Sequence, residues 1–170
     1  ITDLFVGELG LFLEQGEVIF GGIRELLAAQ FARLSPLEQT VMLWLAILRE
    51  PSSINDLLAV MTTAVPRSQL LEAFEMLFRR SLVERGHRQG SFTLQSVVLE
   101  FATVQLVVEI SEEILAGSFS RLVEHGLELT RVREYVRQTQ ERLLATPLLT
   151  QLHSNLPYQI SLEEQLTALL

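Results

Sequence analysis

Between Ser35 and Ala102 the sequence predicts a mainly α fold: a winged helix, built from a helix-turn-helix and a short β-hairpin, with helical segments flanking it. Three observations lead there. Helix start signals stand at Ser35-Pro36, Ser53 and Pro66, each opening into an apolar stretch with helical spacing. Two short alternating stretches, Leu82-Val83-Glu84 and Phe92-Thr93-Leu94, enclose a polar loop with two glycines. A further apolar helix then begins at Val97 and completes the order.

The elements follow in turn. Asp3 to about Gln15 carries Leu4, Phe5, Leu9, Phe12 and Leu13 at helical spacing, and Gly16, Gly21 and Gly22 interrupt it. Ile23 to Leu34 resumes a helix whose stripe is Leu26, Leu27 and Phe31. Ser35-Pro36-Leu37-Glu38 combines an N-cap serine, proline at the first helical position and glutamate at the third. The helix it starts, Leu37 to Arg49, is apolar almost all round and belongs at a domain centre; Pro51 stops it. Ser53 and Asp56 cap a short helix from Ile54 to about Thr62. Pro66 begins a third, Arg67 to Arg80, with Leu70, Leu71, Phe74, Leu77 and Phe78 expected inward. The hairpin is the wing, and Val97 to about Leu115 follows as a helix with Val97, Phe101, Val104 and Val108 on one face. Beyond Gly117, helices are expected at Phe119–His125 and Thr130–Leu144, then a loop between Pro147 and Pro157 holding His153 and Asn155. The domain division is 1–33, the end of a helical subdomain; 34–105, the winged-helix domain; and 106–170, a helical extension.

Charge argues against reading DNA. The 170 residues carry a formal net charge of -8, and all 13 basic residues are arginine. A DNA reader draws most of its affinity from cationic contact with phosphates. The helix that would enter the major groove turns Gln69, Glu72 and Glu75 outward, and two carboxylates there repel phosphate. Residues are 48% hydrophobic with a mean hydropathy of +0.30, apolar for a free-standing domain. The longest apolar run is Val41–Leu48, far short of the roughly 20 residues a membrane helix needs. The surplus points to surfaces that meet other protein.

Chemistry is sparse. Without lysine no Walker A phosphate loop exists. His87, His125 and His153 are scattered, and with no cysteine they make no zinc site. No catalytic residue is assigned, and the chain as given is not expected to be an enzyme. Absent cysteines suit a reducing cytoplasm. Arg79, Arg80, Arg85, His87 and Arg88 form the one dense basic cluster. In a DNA-binding transcription regulator, Arg79, Arg80, Arg85 and Arg88 would be the phosphate contacts. The plainer reading, a solvated hairpin with cations complementing a helix C-terminus, is preferred. Arg131, Arg133 and Arg137, interleaved with Glu134 and Glu141, read as a solvated face. Ile1 opens directly into Thr2-Asp3-Leu4-Phe5, and a capping box at Ser161 and Glu164 starts a helix that stops at Leu170. The sequence therefore reads as the middle of a longer polypeptide.

A family resemblance rests on the runs Phe31–Gln39 and Val41–Ile47, on Leu70-Leu71-Glu72-Ala73 with Arg79–Glu84, and on Ser91–Glu100. It extends through Leu13–Gly16, Ile23–Leu27, Glu134–Arg137 and Gln140–Leu143. These resemble the segment after the nucleotide-binding core in bacterial, especially cyanobacterial, NB-ARC-type STAND NTPases, many of which continue into WD-repeat propellers. The resemblance implies a switch: the winged helix packs on the nucleotide-binding domain in the ADP-bound state, and ATP exchange releases it and permits homo-oligomerisation. Its partners would be the nucleotide-binding domain and C-terminal sensor of the same polypeptide, with neither membrane nor nucleic acid. ADP or ATP with Mg²⁺ would belong to the parent chain, upstream of Ile1, and no cofactor to this segment. Related proteins place a Met-His-Asp motif after the wing, its histidine near the ADP β-phosphate; here Leu94, Gln95 and Ser96 stand there. Gln95 keeps an amide donor but no positive charge. A plain polar cap is the alternative reading of Gln95.

Overall fold

The computed structural model describes residues 21–61, 63–118 and 141–155. The helices expected at Asp3–Gln15 and Phe119–His125, the first part of Thr130–Leu144, Arg131, Arg133, Arg137 and the Ser161/Glu164 box lie outside the described residues. The chain divides into two compact units, Ile1–Ser35 and Pro36–Leu170.

In the first unit residues 21–31 form helix α1. Phe31 and Leu34 are buried, while Leu26 is 59% exposed. Its covered side therefore follows Ile23, Leu27, Phe31 and Leu34, at helical spacing, and Leu26 falls beside that line rather than in it.

The second unit is mainly helical with a small antiparallel sheet: α2 (Pro36–Leu48), β1 (Ser52–Ser53), α3 (Ile54–Val60), α4 (Arg67–Arg79), β2 (Val83–Arg85), β3 (Ser91–Leu94), α5 (Ser96–Leu115), a π-helical turn (Glu141–Ala145) and α6 (Thr146–Asn155). The expected helix-turn-helix, wing and following helix are all present. At the centre α2 is buried without interruption from Val41 to Ile47. It packs on α4, α5 and β3, which is why it has no polar face. The helix ends in a left-handed residue, Arg49 at φ 55°, before Pro51 is reached.

The sheet has the order β1-β3-β2. Val83, Glu84 and Arg85 face Leu94, Thr93 and Phe92 across the wing, while Ser52 and Ser53 pair with Phe92 and Ser91. Strand β1 was not expected. Two serines carry no alternating pattern, and only a distant partner makes them a strand. Ser53 also serves as the N-cap of α3. Its amide donates to Asp56 Oδ2 at 2.8 Å, and the Asp56 amide donates to Ser53 Oγ at 3.3 Å, the reciprocal capping box read from the sequence. That amide bond first, then the hydroxyl, holds the Asp56 carboxyl below the ordinary carboxylate range, with Arg88 adding to them.

Three further expectations are corrected. In α4 the buried line is Leu70, Ala73, Phe74 and Leu77, whereas Leu71 is 49% and Phe78 45% exposed. In α5 the buried residues include Val98, Phe101, Ala102, Leu106, Ile110 and Ile114, whereas Val97 and Val104 face outward. This helix is apolar on more than one side, so spacing alone could not choose the face that meets α2 and α6. Residues 146–155 are helical, not a loop, so His153 and Asn155 lie on α6. Pro147 sits in the first turn of α6, where its missing N–H matters least, and the π-helical turn precedes it. The Thr146 hydroxyl donates to the Glu141 carbonyl at 2.9 Å, satisfying one acceptor at this irregularity.

Two helices end in the same way. After α5, Gly117 is left-handed at φ 78°; its amide donates to the Ile114 carbonyl and that of Ser118 to Glu113. After α4, Ser81 takes φ 57°, donating to Phe78 while Leu82 donates to Leu77. Both are Schellman ends, and the second carries a serine where glycine is the residue without steric cost. The buried pair Leu77 and Leu82 sits at the positions where such ends usually add an apolar contact.

Candidate functional site

In DNA-binding helix-turn-helix proteins the recognition helix makes the contact, so the outward side chains of α4 and the adjoining wing are the ones to read. Burying Leu70, Ala73, Phe74 and Leu77 turns the opposite line of α4 to solvent, namely Ser68, Glu72, Glu75 and Arg79. The two carboxylates of that line are exposed, as the sequence predicts. Arg79 is ion-paired with Glu75 at 2.6 Å, one turn earlier on the same helix. An exposed pair of this kind contributes little to stability, but it neutralises the only cation on the line.

Beside this line the wing is built on aromatic packing. Phe92 stacks on buried Phe74 with ring centres 4.4 Å apart, fixing β3 to α4. Arg85, opposite Phe92 in the sheet, lies over the Phe78 ring at 5.8 Å from its centre. Arg88 donates to the Pro51 carbonyl at 2.5 Å, joining the wing loop to the segment that leads into β1. Gly86 is required there: a Cβ on it would stand 2.5 Å from both Pro51 Cβ and Ser91 Oγ. The buried Ser91 hydroxyl donates to the Arg88 carbonyl at 2.7 Å, closing the turn from inside.

Arg79, Arg85 and Arg88 thus each have an internal contact, to Glu75, Phe78 and Pro51 respectively. Arg80 is half-buried as the C-cap of α4, its amide bonded to the Met76 carbonyl, and His87 is exposed in the loop. The cluster is brought together in space around the wing, although α4 itself contributes carboxylates to the same face. Gln95 is the N-cap of α5 and exposed; its side chain makes no capping hydrogen bond. The polar-cap reading therefore has no bond behind it, and the amide is turned to solvent.

Sequence reasoning missed the Arg85–Phe78 contact and the environment of Arg49. The first depends on the geometry of the Ser81 turn and the second on packing between distant helices, and neither leaves a residue pattern. Arg49 donates from Nη2 to Thr103 Oγ1 on α5 at 2.8 Å, while its buried Nε has no hydrogen-bond partner. Burial, and then the nearby charge of Arg142, lowers its pKa from the ordinary arginine value. Among the described residues no group of three or more His, Cys, Asp or Glu could hold a metal ion, and no helix is long and apolar enough to cross a membrane.

The chain is similar to an uncharacterized WD repeat-containing protein of Nostoc sp., with 40% identity over 161 residues. The alignment takes in 88% of this chain but only 12% of the Nostoc protein, so the similar stretch is a small part of a much larger, multidomain protein. No family model matches the chain, and no solved structure does.

Proposed function

We propose that this chain is the regulatory winged-helix segment of a STAND-type signalling NTPase, coupling the nucleotide state of a neighbouring domain to a C-terminal sensor through protein contacts. The observation that carries the reading is the outward line of α4. Where a DNA reader presents cations, this helix presents Glu72 and Glu75, with Arg79 held by the latter. The similarity to a stretch of a much larger WD repeat-containing protein supports the multidomain setting. In this reading the segment has no catalytic residues of its own. ADP or ATP with Mg²⁺ binds elsewhere in the parent chain, in the cytoplasm, and Gln95 is the one position here within reach of nucleotide. Residues 34–105 are the moving winged helix, and α5 carries its last helix onward into the 106–170 extension.

The test uses the longer protein that contains this segment. Hydrogen exchange is compared with ADP and with a non-hydrolysable ATP analogue bound. A change in protection along α2, α4 and α5 is expected, because rigid-body release uncovers faces that the closed state covers. Identical protection in the two states overturns the switch. The alternative, a DNA-binding transcription regulator, is tested by anisotropy with random duplex DNA. Binding that weakens steeply with salt, through Arg79, Arg80, Arg85 and Arg88, would establish it instead.

A further inference from the structure

The α4–wing face combines exposed apolar side chains with a basic concavity. Leu71 and Phe78 lie seven residues apart on one flank of α4 and are 49% and 45% exposed. Seven residues is two helical turns, so the pair shares one side of the helix. Beside them the wing loop encloses an open concavity of about 440 Å³, lined by residues 85–92. Its lining includes Arg85, His87 and Arg88 and no carboxylate. Phe78 adjoins the concavity. Arg85 lines the concavity and lies over Phe78, and Phe92 lines it and stacks on Phe74.

We infer that this surface is a docking site for a short acidic polypeptide segment with an apolar anchor, supplied by a partner protein. Neighbouring apolar side chains of the segment cover Leu71 and Phe78, and its carboxylates meet Arg85, His87 and Arg88. Charge complementarity selects this occupant over a nucleic acid. A duplex lays phosphates along both α4 and the wing, and on α4 it meets Glu72 and Glu75. A short segment lays only its apolar side chains on α4 and sets its acids on the wing, away from Glu72 and Glu75. Phosphates also gain nothing from Leu71 and Phe78, whereas aromatic and arginine side chains placed together are typical anchors of protein interfaces. The site does not depend on the nucleotide reading.

The experiment is a fluorescence-anisotropy titration of the 170-residue chain against a labelled twelve-residue peptide of glutamate and aspartate around a central Leu-Phe pair. Three comparison probes are used: the same peptide with serine for Leu-Phe, the same peptide with lysine for the acids, and random duplex DNA. Saturable binding of the first peptide with a Kd below about 1 mM, at least fivefold weaker for each comparison probe, is expected. Phe78→Ala and Arg85→Glu should each weaken it about fivefold or more. Both positions are exposed, so circular dichroism should remain that of the parent. Amide shifts in a heteronuclear NMR titration should concentrate at 71–78 and 85–92. No saturable binding up to 1 mM overturns the site, as does tighter binding of the lysine peptide or of DNA. Self-association of the chain that Phe78→Ala abolishes, with no peptide bound, overturns it in favour of a second copy.

Discussion

Helices α2 and α4 have the same length, 13 residues, and pack on each other, yet they live in opposite environments. The first is enclosed from Val41 to Ile47, touching α4, α5 and β3; the second buries a single line and shows solvent carboxylates, Leu71 and Phe78. The difference is one of position. A central helix needs no polar face, so its sequence tells little about direction. A peripheral helix must choose one, and whatever it leaves outside becomes available for recognition. Stability should therefore reside in α2 and its neighbours, and function in α4 and the wing.

The sharpest way to break that division is to shorten one leucine from each helix. Leu43 is fully buried, so Leu43→Ala should cost about 2–5 kcal/mol from lost burial and the cavity left behind. Leu71→Ala, on the exposed flank, should stay within about 0.5 kcal/mol, though it gives up anchor area in the proposed docking site. Urea unfolding followed by tryptophan fluorescence reads both, since buried Trp44 lies on α2. Equal costs would mean that α4 is as central as α2.

The wing tests the same division at its edge. Gly86→Ala must push Pro51 or Ser91 aside, and a cost of about 1–3 kcal/mol is expected. The loss should appear as faster amide exchange in β1 and β3. A glycine-to-alanine change that left exchange untouched would show that the wing is not clasped by Pro51.

Next in size is the α3 cap. Ser53→Ala removes the side-chain half of the capping box and should cost about 1 kcal/mol. The cap also carries a pH signature. Asp56 has a folded pKa below its unfolded one, so its contribution is complete above the ordinary carboxylate pKa and disappears as pH falls through the lowered value. Acid titration of the parent and of Asp56→Asn should therefore agree at low pH and separate above about pH 4. Separation in the reverse sense would refute the cap. The smallest effect is a gain. Ser81→Gly places glycine at the left-handed end of α4 and should stabilise by about 0.5–1 kcal/mol, visible as a higher Tm.

Much of the fold was legible because its signals were local. Ser53 and Asp56 are three residues apart, the wing loop has its glycines, and α2 announces burial by lacking polar residues. What escaped was set by distant partners. Nothing in Ser52-Ser53 announces a strand until Phe92 and Ser91 lie alongside. The buried face of α5 differs from the expected one because several of its faces are apolar, and Pro147 reads as a break where the chain only needs a first turn. For the candidate site, the acidic line of α4 and the arginine cluster were plain in the sequence. The placement of Arg85 over Phe78 was not, since it depends on how the left-handed Ser81 turn folds β2 back beside α4.

Helix α5 has mechanical meaning beyond its packing. Twenty residues make a rod about 30 Å long. It is joined directly to the wing strand through Gln95 at one end, and it also packs against α6. In the proposed switch such a rod is a lever arm. A tilt of about 10° about one end carries the other through about 5 Å, roughly the width of a side-chain row. In the proposed switch, small rotations of the wing would become displacements large enough to separate packed helices.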